Sequence, residues 1–366
     1  MNILVDAHVF DGKHQGTRVY LKGLYQSLIP ICKDWNFFIA ATDIDNLKEE
    51  FGEFDNIHFV QLKNKSKFYR LIIDFPSLIR KYNIDYSHFQ YTTPPFKKGK
   101  YIVTLHDILF EQKEFKSFFP SKGRFINHFL HKISAKKADI LFTVSEFSKN
   151  KISDLYKINS SKIHVSPNAV NKEFYNNKNE SSTQTPPKYI LYVSRIEPRK
   201  NHLTLLRAFN ELKLDDKGYK LVFIGKPDIA NPEFESYIKS NNERITKFLI
   251  FLEDLATNDL IKYYSNCDLF VFPSYAEGFG IPPLEAMVLE KKVLCSDHTA
   301  MKDFNLPEEF RFDPYNLKEL KTKIIAQLSN KFDIKEIYKP ILTKYHWQEI
   351  AKEFKQVIDF QNKGLT

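Results

Sequence analysis

The amino-acid sequence predicts an α/β protein of two doubly wound domains, and three observations support this fold class. The chain has 366 residues, which is too long for one ordinary hydrophobic core and fits two domains. Short apolar runs alternate with amphipathic stretches of helical period in both halves, an order typical of parallel sheets. A polar stretch rich in Asn, Ser, Thr and Pro, residues 171–188, interrupts this alternation and reads as a linker. We therefore predict domains at 1–178 and 179–345, with 346–366 as a C-terminal helix packing on the first domain.

The first half contains six predicted strands. The first is 2–10, followed by a loop around Gly12 and Gly16 and a helix from Arg18. In a parallel sheet, ligands bind at the carboxyl ends of the strands, so the residues that follow each strand are candidate site residues. The other five strands are predicted at 35–42, 57–62, 84–90, 101–107 and 139–145.

The second half repeats the pattern after the linker. Helices are expected from about residues 201, 257 and 282. Two doubly wound halves joined by a linker predict a small-ligand site in a cleft between them. The strands of this half are predicted at 189–195, 219–225, 247–253, 268–274 and 291–296.

Composition indicates a cytoplasmic globular protein. Hydrophobic residues make up 43% and charged residues 27%, and we find no uncharged run of roughly eighteen residues that would cross a membrane. The start of the chain reaches an acid at Asp6 and has no basic region, unlike a signal peptide. Cys32, Cys267 and Cys295 lie in apolar surroundings without a CxxC pair, so we expect reduced core thiols.

The net charge of +9 lies almost entirely in the first half of the chain. Residues 1–180 contain 27 Lys and Arg against 19 Asp and Glu, whereas residues 181–366 contain 27 against 26. The basic residues are densest in 63–82 and 113–137, where they alternate with Phe, Leu and Ile. Such a face suits an anionic membrane surface, and equally a solvated helix face over an aromatic core; nucleic acid is a weaker alternative.

The segment FVFPSYAEGFGIPPLEAM, residues 270–287, predicts a ligand site. An apolar strand is followed by Gly278 and Gly280, which let backbone amides approach a ligand, and then by a helix with proline in its first turn. The positive end of that helix favours a phosphate. Glu277 and Glu285, eight positions apart, are suited to accept hydrogen bonds from sugar hydroxyls. A simple helix cap is the alternative, and the added strand, glycines and prolines count against it.

At this point the sequence resembles a known family. EGFGIPPLE resembles the E-x7-E motif of retaining, nucleotide-sugar-dependent glycosyltransferases of the GT-B fold, the group 1 (family 4) type. Other motifs of that family find counterparts in the same order along nearly the whole chain. These counterparts are TLHD, TVSEFS, SPNAV, VSRIEPRKN and YHW. The resemblance implies a GT-B fold of two Rossmann-like domains facing across a cleft.

The resemblance also implies roles for individual residues. Arg195 and Lys200 would neutralise the donor diphosphate, with Arg199 as a competing candidate. Glu277 would hold hydroxyls of the transferred sugar, and His106 would contact the sugar near its reacting carbon. The further donor-binding residues that it implies are Gly16, Asp107, Ser194, Leu255, Gly278, Phe279, Gly280, Ile281 and Glu285, the last on the ribose hydroxyls.

The sequence departs from the family pattern at several positions. Arg18 stands near the place of a second loop glycine, Ser194 replaces a glycine before Arg195, and Ala169 replaces the glycine of PNGV. No metal or other cofactor is expected. The DID stretch, residues 43–45, matches the metal motif of another glycosyltransferase fold, but we interpret it as a loop.

The sequence thus predicts a retaining, metal-independent hexosyltransferase of surface-polysaccharide or lipopolysaccharide synthesis. The donor would be a nucleotide sugar, with GDP-mannose favoured by resemblance to bacterial mannosyltransferases, and the acceptor a saccharide or polyprenyl-diphosphate-linked saccharide. Basic aromatic segments would place the enzyme peripherally on the inner face of the plasma membrane. The alternatives are a sugar-nucleotide epimerase or hydrolase of the same fold, and a membrane- or nucleic-acid-binding protein without catalysis.

Overall fold

The computed structural model describes residues 1–12, 16–121, 123–176 and 185–364. These residues divide into two compact units. Unit 1 comprises Met1–Glu111, Pro120–Ala169 and Tyr345–Thr366, and unit 2 comprises Gln112–Phe119 and Val170–Lys344. Both units are built on parallel sheets, so the predicted fold class of two doubly wound α/β domains is confirmed.

The described part of unit 1 forms a seven-stranded parallel sheet with the order β3-β2-β1-β4-β5-β6-β7. The order reverses between β1 and β4, and such a reversal leaves a crevice at the carboxyl ends of the two strands. The strands are β1 Asn2–Asp6, β2 Asn36–Ala41, β3 Ile57–Gln61, β4 Tyr86–Gln90, β5 Lys100–Leu105, β6 Ile140–Thr143 and β7 Ile163–Val165.

Helices cover the sheet of unit 1. They are α1 Gly16–Leu28, α2 Ile44–Phe51, α3 Lys67–Tyr69, α4 Phe75–Lys81, α5 Arg124–Lys137 and α6 Glu146–Tyr156. A π-helical turn, Arg70–Asp74, joins α3 to α4. Phe89 packs edge to face against Phe75 and Tyr101 at 5.0 Å in the core. The strands of this core are buried because β1, β4 and β5 carry apolar residues on both faces.

The described part of unit 2 forms a six-stranded parallel sheet with the order β10-β9-β8-β11-β12-β13. Its strands are β8 Tyr189–Val193, β9 Lys220–Ile224, β10 Leu249–Leu252, β11 Leu269–Phe272, β12 Val293–Ser296 and β13 Arg311–Phe312. Its helices are α7 Lys172–Asn176, α8 His202–Glu211, α9 Pro232–Ser240, α10 Asn242–Ile245, α11 Thr257–Asn266, α12 Ile281–Val288, α13 Leu317–Ser329 and α14 Ile334–Lys344.

The last helix, α15 Trp347–Asn362, belongs to unit 1. The ring of Phe354 stacks on Phe142 of β6 with centroids 4.4 Å apart. Trp347 meets Tyr20 of α1 edge to face at 6.1 Å. Residues far apart in sequence therefore complete the core of this unit.

Conversely, unit 2 includes a short segment from the first half of the sequence, Gln112–Phe119. Phe118 stacks on Tyr275 with centroids 5.7 Å apart and an interplanar angle of 3°. Tyr275 in turn stacks on Tyr315 at 4.6 Å. Phe119 lies 5.8 Å from the guanidinium carbon of Arg199. Aromatic stacking thus fixes this segment on unit 2.

Two sequence-based expectations about local structure are wrong. The first strand ends at Asp6 rather than at residue 10, because a 3-10 turn, His8–Asp11, follows it. Residues 43–45 are a loop only at Asp43, whose side chain accepts a hydrogen bond from the Asn46 amide and caps α2, which begins at Ile44. The carboxylate of Asp43 is therefore a helix cap.

The predicted linker, residues 171–188, begins with the five-residue helix α7. Residues 177–184 lie outside the described residues. Cys32, Cys267 and Cys295 are free and buried, as predicted. Among the described helices, none has the length and the apolar character that a membrane crossing needs.

Candidate active site

The cations predicted to bind phosphate follow β8 of unit 2. After Ser194 and Arg195 the chain makes a short turn, Pro198–Lys200, and Asn201 then adopts a left-handed conformation with φ of 59°. The side-chain amide of Asn201 donates hydrogen bonds to the carbonyls of Pro273 and Pro314, at 3.0 and 3.1 Å. These two bonds fix the turn beside the residues that follow β11.

The turn also depends on a close approach between two backbones. Gly225 follows β9 with φ of 147°, and a Cβ atom built on it would lie 2.1 Å from the carbonyl oxygen of Ser194. Because only glycine lacks this atom, Gly225 allows the chain around Ser194 and Arg195 to follow its path.

Glu277 lies at the centre of a buried ionic cluster. Its Oε1 is 2.6 Å from Lys200 Nζ, and its Oε2 is 2.8 Å from Arg199 Nη1. Arg199 Nη2 lies 2.7 Å from Glu197 Oε1. Arg195 pairs with Asp228 at 2.5 Å and lies 3.8 Å from Glu197. The structure therefore joins Lys200 and Arg199 through Glu277, whereas Arg195 stands at the exposed edge of the cluster.

The charges in this cluster stabilise one another. Burial alone would raise the pKa of Glu277, but Lys200 and Arg199 outweigh it and lower that pKa to about 2. Burial and the neighbouring Arg199 lower the pKa of Lys200, and Glu277 opposes them. Glu277 is therefore ionised, and both of its oxygens already accept from cations.

The glycine-containing loop connects Glu277 to α12. The Glu277 amide donates to Thr299 Oγ1 at 3.0 Å, which fixes the start of the loop. The ring of Phe279 is buried and lies edge to face against Phe304 at 5.8 Å. Gly280, with φ of 106°, precedes α12, whose first residue is Ile281. The helix thus directs its positive end to the place predicted for the donor phosphate.

Glu285 lies one turn into α12 and has an environment opposite to that of Glu277. Its Oε2 accepts a hydrogen bond from the Tyr264 hydroxyl at 2.7 Å, and no cation pairs with it among the described residues. Burial raises the pKa of Glu285 to about 7, although the Tyr264 hydrogen bond acts in the lowering direction. The two glutamates of the motif therefore differ in charge near neutral pH.

The predicted residues His106, Asp107 and Gly16 lie in unit 1. His106 follows β5, and its Nε2 lies 2.8 Å from Gln90 Oε1. Burial lowers the pKa of His106 to about 3, so the ring is neutral at physiological pH. Asp107 Oδ1 accepts from the Leu109 amide at 3.1 Å. Gly16 begins α1, and residues 13–15 of the preceding loop lie outside the described residues.

The structure thus gathers most of the predicted donor-binding residues in unit 2. Ser194, Lys200, Glu277 and Glu285 follow or flank β8 and β11, while the partly buried Leu255 lies on the loop after β10. Arg199 was predicted only as an alternative to its neighbours. Its burial between Glu197 and Glu277 could not be predicted from the motifs.

Arg18, near the place of a missing loop glycine, has a structural role. Its guanidinium is bound by Glu50 and Asn46 of α2 and lies over the ring of Phe10.

Within the described residues, no group of three or more His, Cys, Asp or Glu side chains could hold a metal ion.

Two parallel Rossmann-like sheets and a cluster of cations after β8 agree with the two-domain glycosyltransferase class that the motifs imply. Residues 34–174 match the model of Glycosyltransferase Family 4, and residues 173–340 match that of Glycosyl transferases group 1. The chain belongs to this glycosyltransferase family, with a Family 4 domain followed by a group 1 domain. The resemblance stated from the motifs is confirmed.

Curated relatives include bacterial mannosyltransferases. The chain is 30% identical over 233 residues to the serotype-specific mannosyltransferase WbdA of Escherichia coli, which covers 59% of this chain and 28% of that protein. The chain therefore spans less than a third of that relative. It is 24% identical to O-antigen chain mannosyltransferase B of Escherichia coli over 81% of this chain and 82% of that protein.

Solved structures support the fold. A glycosyltransferase from Rickettsia africae ESF-5 superimposes with a TM-score of 0.73 and 19% identity, covering 99% of this chain and 98% of that one. At this identity the likeness shows the fold alone, which is GT-B.

Proposed function

We propose that this glycosyltransferase moves mannose from GDP-mannose to a saccharide or lipid-linked saccharide acceptor in the synthesis of a bacterial surface polysaccharide. The observation that carries this proposal is the fixed set of buried charges after β8 and β11: Lys200, Arg199 and Glu277. The likeness to O-antigen mannosyltransferases supports mannose as the sugar.

Unit 2 would bind the nucleotide sugar. The developing charge of the leaving diphosphate would be neutralised by Lys200, by the exposed guanidinium of Arg195 and by the positive end of α12, without a metal ion. Arg195 pairs with Asp228 at a site where both side chains are accessible, so a diphosphate can compete for it. Glu285, with one oxygen bound by Tyr264, would accept hydrogen bonds from the ribose hydroxyls. Amides of Gly278, Phe279 and Gly280 would contact the sugar and phosphate.

We propose that transfer proceeds with retention of anomeric configuration. Glu277 is a poor candidate for a covalent nucleophile, because both of its oxygens are engaged by Lys200 and Arg199. The leaving phosphate oxygen would instead take the proton from the acceptor hydroxyl on the same face of the sugar. Neutral His106 would donate or accept a hydrogen bond at the sugar rather than carry charge.

We propose a peripheral position at the inner face of the plasma membrane. Phe125 and Phe129 of α5 have exposed fractions of 83% and 57%. Lys132 and Lys136 follow on the same helix, and a face of aromatic and basic side chains suits an anionic bilayer surface.

The first experiment is a thermal-shift panel of the purified chain against GDP, UDP, ADP and TDP and their sugar conjugates, with EDTA throughout. A ligand that binds only the folded state raises the melting temperature. We expect a selective shift with GDP and GDP-mannose that Lys200→Ala and Glu285→Ala abolish. Lys217→Ala and Glu309→Ala, at exposed positions of unit 2, are the matched controls.

If only another nucleotide raised the melting temperature, the donor would carry that nucleotide instead of GDP. The absence of any shift would contradict the transferase proposal. To test retention, the enzyme is incubated with a mannosylated acceptor and with the nucleotide sugar that raises its melting temperature. The NMR signal of the newly formed anomeric proton then gives the configuration of the product. Hydrolysis without need of an acceptor would favour the hydrolase of the same fold.

A further inference from the structure

A polar crevice in unit 1 lies at the point where the strand order reverses. It has a volume of about 280 Å³, and its lining includes residues that follow β1, β4 and β5, among them His8, Tyr91 and Asp107. A crevice of this kind at a topological switch point is where doubly wound sheets bind ligands. None of the donor-binding roles assigned above uses its cationic side, which Lys67 and Arg70 provide.

Arg70 is the unusual residue of this crevice. Only 5% of its surface is exposed, and its buried Nε makes no hydrogen bond with any described residue. It lies on the π-helical turn between α3 and α4, a distortion found at many functional sites. A buried guanidinium with unused donors is costly unless it binds a carboxylate or phosphate.

The acids near Arg70 meet this need only in part. Asp6 Oδ2 lies 3.3 Å from Arg70 Nε, which holds one edge of the guanidinium. The other oxygen of Asp6 is taken by the ring and the amide of His8. Asp107 Oδ1 is bound by the Leu109 amide. Among the described residues, none pairs with the terminal nitrogens of Arg70, which can therefore bind a ligand.

A second cation, Lys67, lines the same crevice. Its ammonium forms no ion pair or hydrogen bond with the described residues. Lys67 is exposed as a residue, but partial desolvation and the charge of Arg70 lower its pKa, whereas Asp6 opposes them, so the two cations repel each other. An anion bound by both would remove this repulsion. His131 is buried on the wall formed by α5, with its Nδ1 3.7 Å from Glu111 Oε1.

We propose that the unit 1 crevice binds a phosphoryl group of the acceptor through Arg70 and Lys67. This inference deepens the proposed function and rests on it in one respect, that unit 1 takes the acceptor. The phosphoryl group could belong to a lipid headgroup or to a soluble phosphorylated acceptor. Phe68, next to Lys67, has an exposed fraction of 75%, and Ile72 one of 48%, which favours the lipid as the source.

The test is calorimetric titration of the full chain carrying Lys200→Ala, so that phosphate binding in unit 2 is weakened. The probes are inorganic pyrophosphate and farnesyl diphosphate, with EDTA present. Arg70→Gln and Lys67→Gln are each added and compared with Arg80→Gln, which removes an exposed cation of α4. Lys67 is at the surface, so its substitution tests the crevice even if Arg70→Gln unfolds the unit.

We expect Arg70→Gln and Lys67→Gln to weaken pyrophosphate binding about tenfold or more, because each removes charge-assisted hydrogen bonds. Arg80→Gln should bind like its parent. Equal affinities in all of these chains, or no binding by the parent, would overturn the inference. If farnesyl diphosphate binds more tightly than pyrophosphate and Phe68→Ser removes this difference, the phosphoryl group belongs to a lipid. If the two probes bind with equal affinity, it belongs to a soluble acceptor.

Failure here is separate from failure of the proposed function. The nucleotide-induced thermal shift of otherwise unmodified Arg70→Gln reports on unit 2 and should match that of the natural chain. If the nucleotide shift is absent but pyrophosphate binding depends on Arg70, the anion site stands and the donor proposal falls. The reverse result removes the anion site alone.

Discussion

Lys200 and Glu277 form a buried ion pair, with 2.6 Å between Nζ and Oε1, that joins the residues following β8 to those following β11. Arg199 binds the other oxygen of the same carboxylate. The local structure of the donor site therefore depends on one acid that two cations share.

Removal of that acid should destabilise unit 2. Glu277→Ala leaves two buried cations without their shared partner, and we expect the free energy of unfolding to fall by about 3–5 kcal/mol. Urea denaturation followed by circular dichroism measures this change. Glu233→Ala, which breaks the exposed pair with Arg207, is the control and should change stability by less than about 1 kcal/mol. A loss of similar size in both variants would mean that the cluster has no special role.

Glu285 should make both stability and nucleotide binding depend on pH. Its folded pKa, about 7, lies above its ordinary value of 4.5, so the folded state binds more protons between these two values. Stability from this group is therefore complete below about pH 4.5 and decreases as the pH rises to about 7, by at most about 3 kcal/mol.

Nucleotide binding should respond in the opposite direction. A carboxylate accepts from ribose hydroxyls better than a neutral acid, so affinity should rise as the pH passes through about 7. Calorimetry from pH 5.5 to 8.5 measures this rise, and Glu285→Gln should flatten it. A rise that persists in Glu285→Gln would assign the titration to another group.

Gly225 and Gly218 offer a matched test of the turn after β8. Both have positive φ, but a Cβ at Gly225 would clash with the Ser194 carbonyl at 2.1 Å, whereas at Gly218 nothing lies within 4 Å. We expect Gly218→Ala to cost about 1 kcal/mol and Gly225→Ala clearly more, with loss of nucleotide binding. Thermal unfolding and the nucleotide shift distinguish them. Equal effects would mean that the clash is relieved by a backbone movement.

The exposed aromatic residues of α5 predict membrane binding. Phe125→Ser with Phe129→Ser should reduce co-sedimentation with vesicles of phosphatidylglycerol and phosphatidylethanolamine about tenfold or more, since it removes the two exposed rings that would insert into the bilayer surface. Phe251→Ser, at a position in unit 2 with 43% exposure, is the control. Unchanged sedimentation of the double variant would contradict the proposed membrane face.

Much of the fold could be predicted because its strands are continuous apolar runs. Leu269–Phe272 and Tyr189–Val193 fall inside their predicted ranges for this reason. The strands β7 and β13 were missed, since three and two residues at a sheet edge are too few to show a pattern. Ile44 and Asp45 were taken for loop residues because the bond by which Asp43 caps the helix cannot be distinguished in sequence from a turn.

The site was predictable in part. Glu277, Glu285 and Lys200 lie in motifs whose spacing is visible in sequence. The ion-pair partner of each charged group is not visible in the sequence. Arg199 and Glu277, for example, are 78 residues apart and meet only after β8 and β11 pair. Arg70 was noted only as part of the basic aromatic segment 63–82, because its burial depends on how the π-helical turn packs.

The chain passes between the two units four times, at Glu111, Phe119, Ala169 and Lys344. During synthesis on the ribosome, unit 1 lacks α15 until residues 347–362 leave the exit tunnel, although its seven described strands all lie before residue 166. The core of unit 1 is therefore completed only after α15 is made. Until then, the surface that Trp347 and Phe354 later cover remains accessible to solvent and to chaperones. Dividing the gene within the linker would therefore leave both units incomplete. The first fragment would lack α15 of unit 1, and the second would lack the Phe118 segment of unit 2.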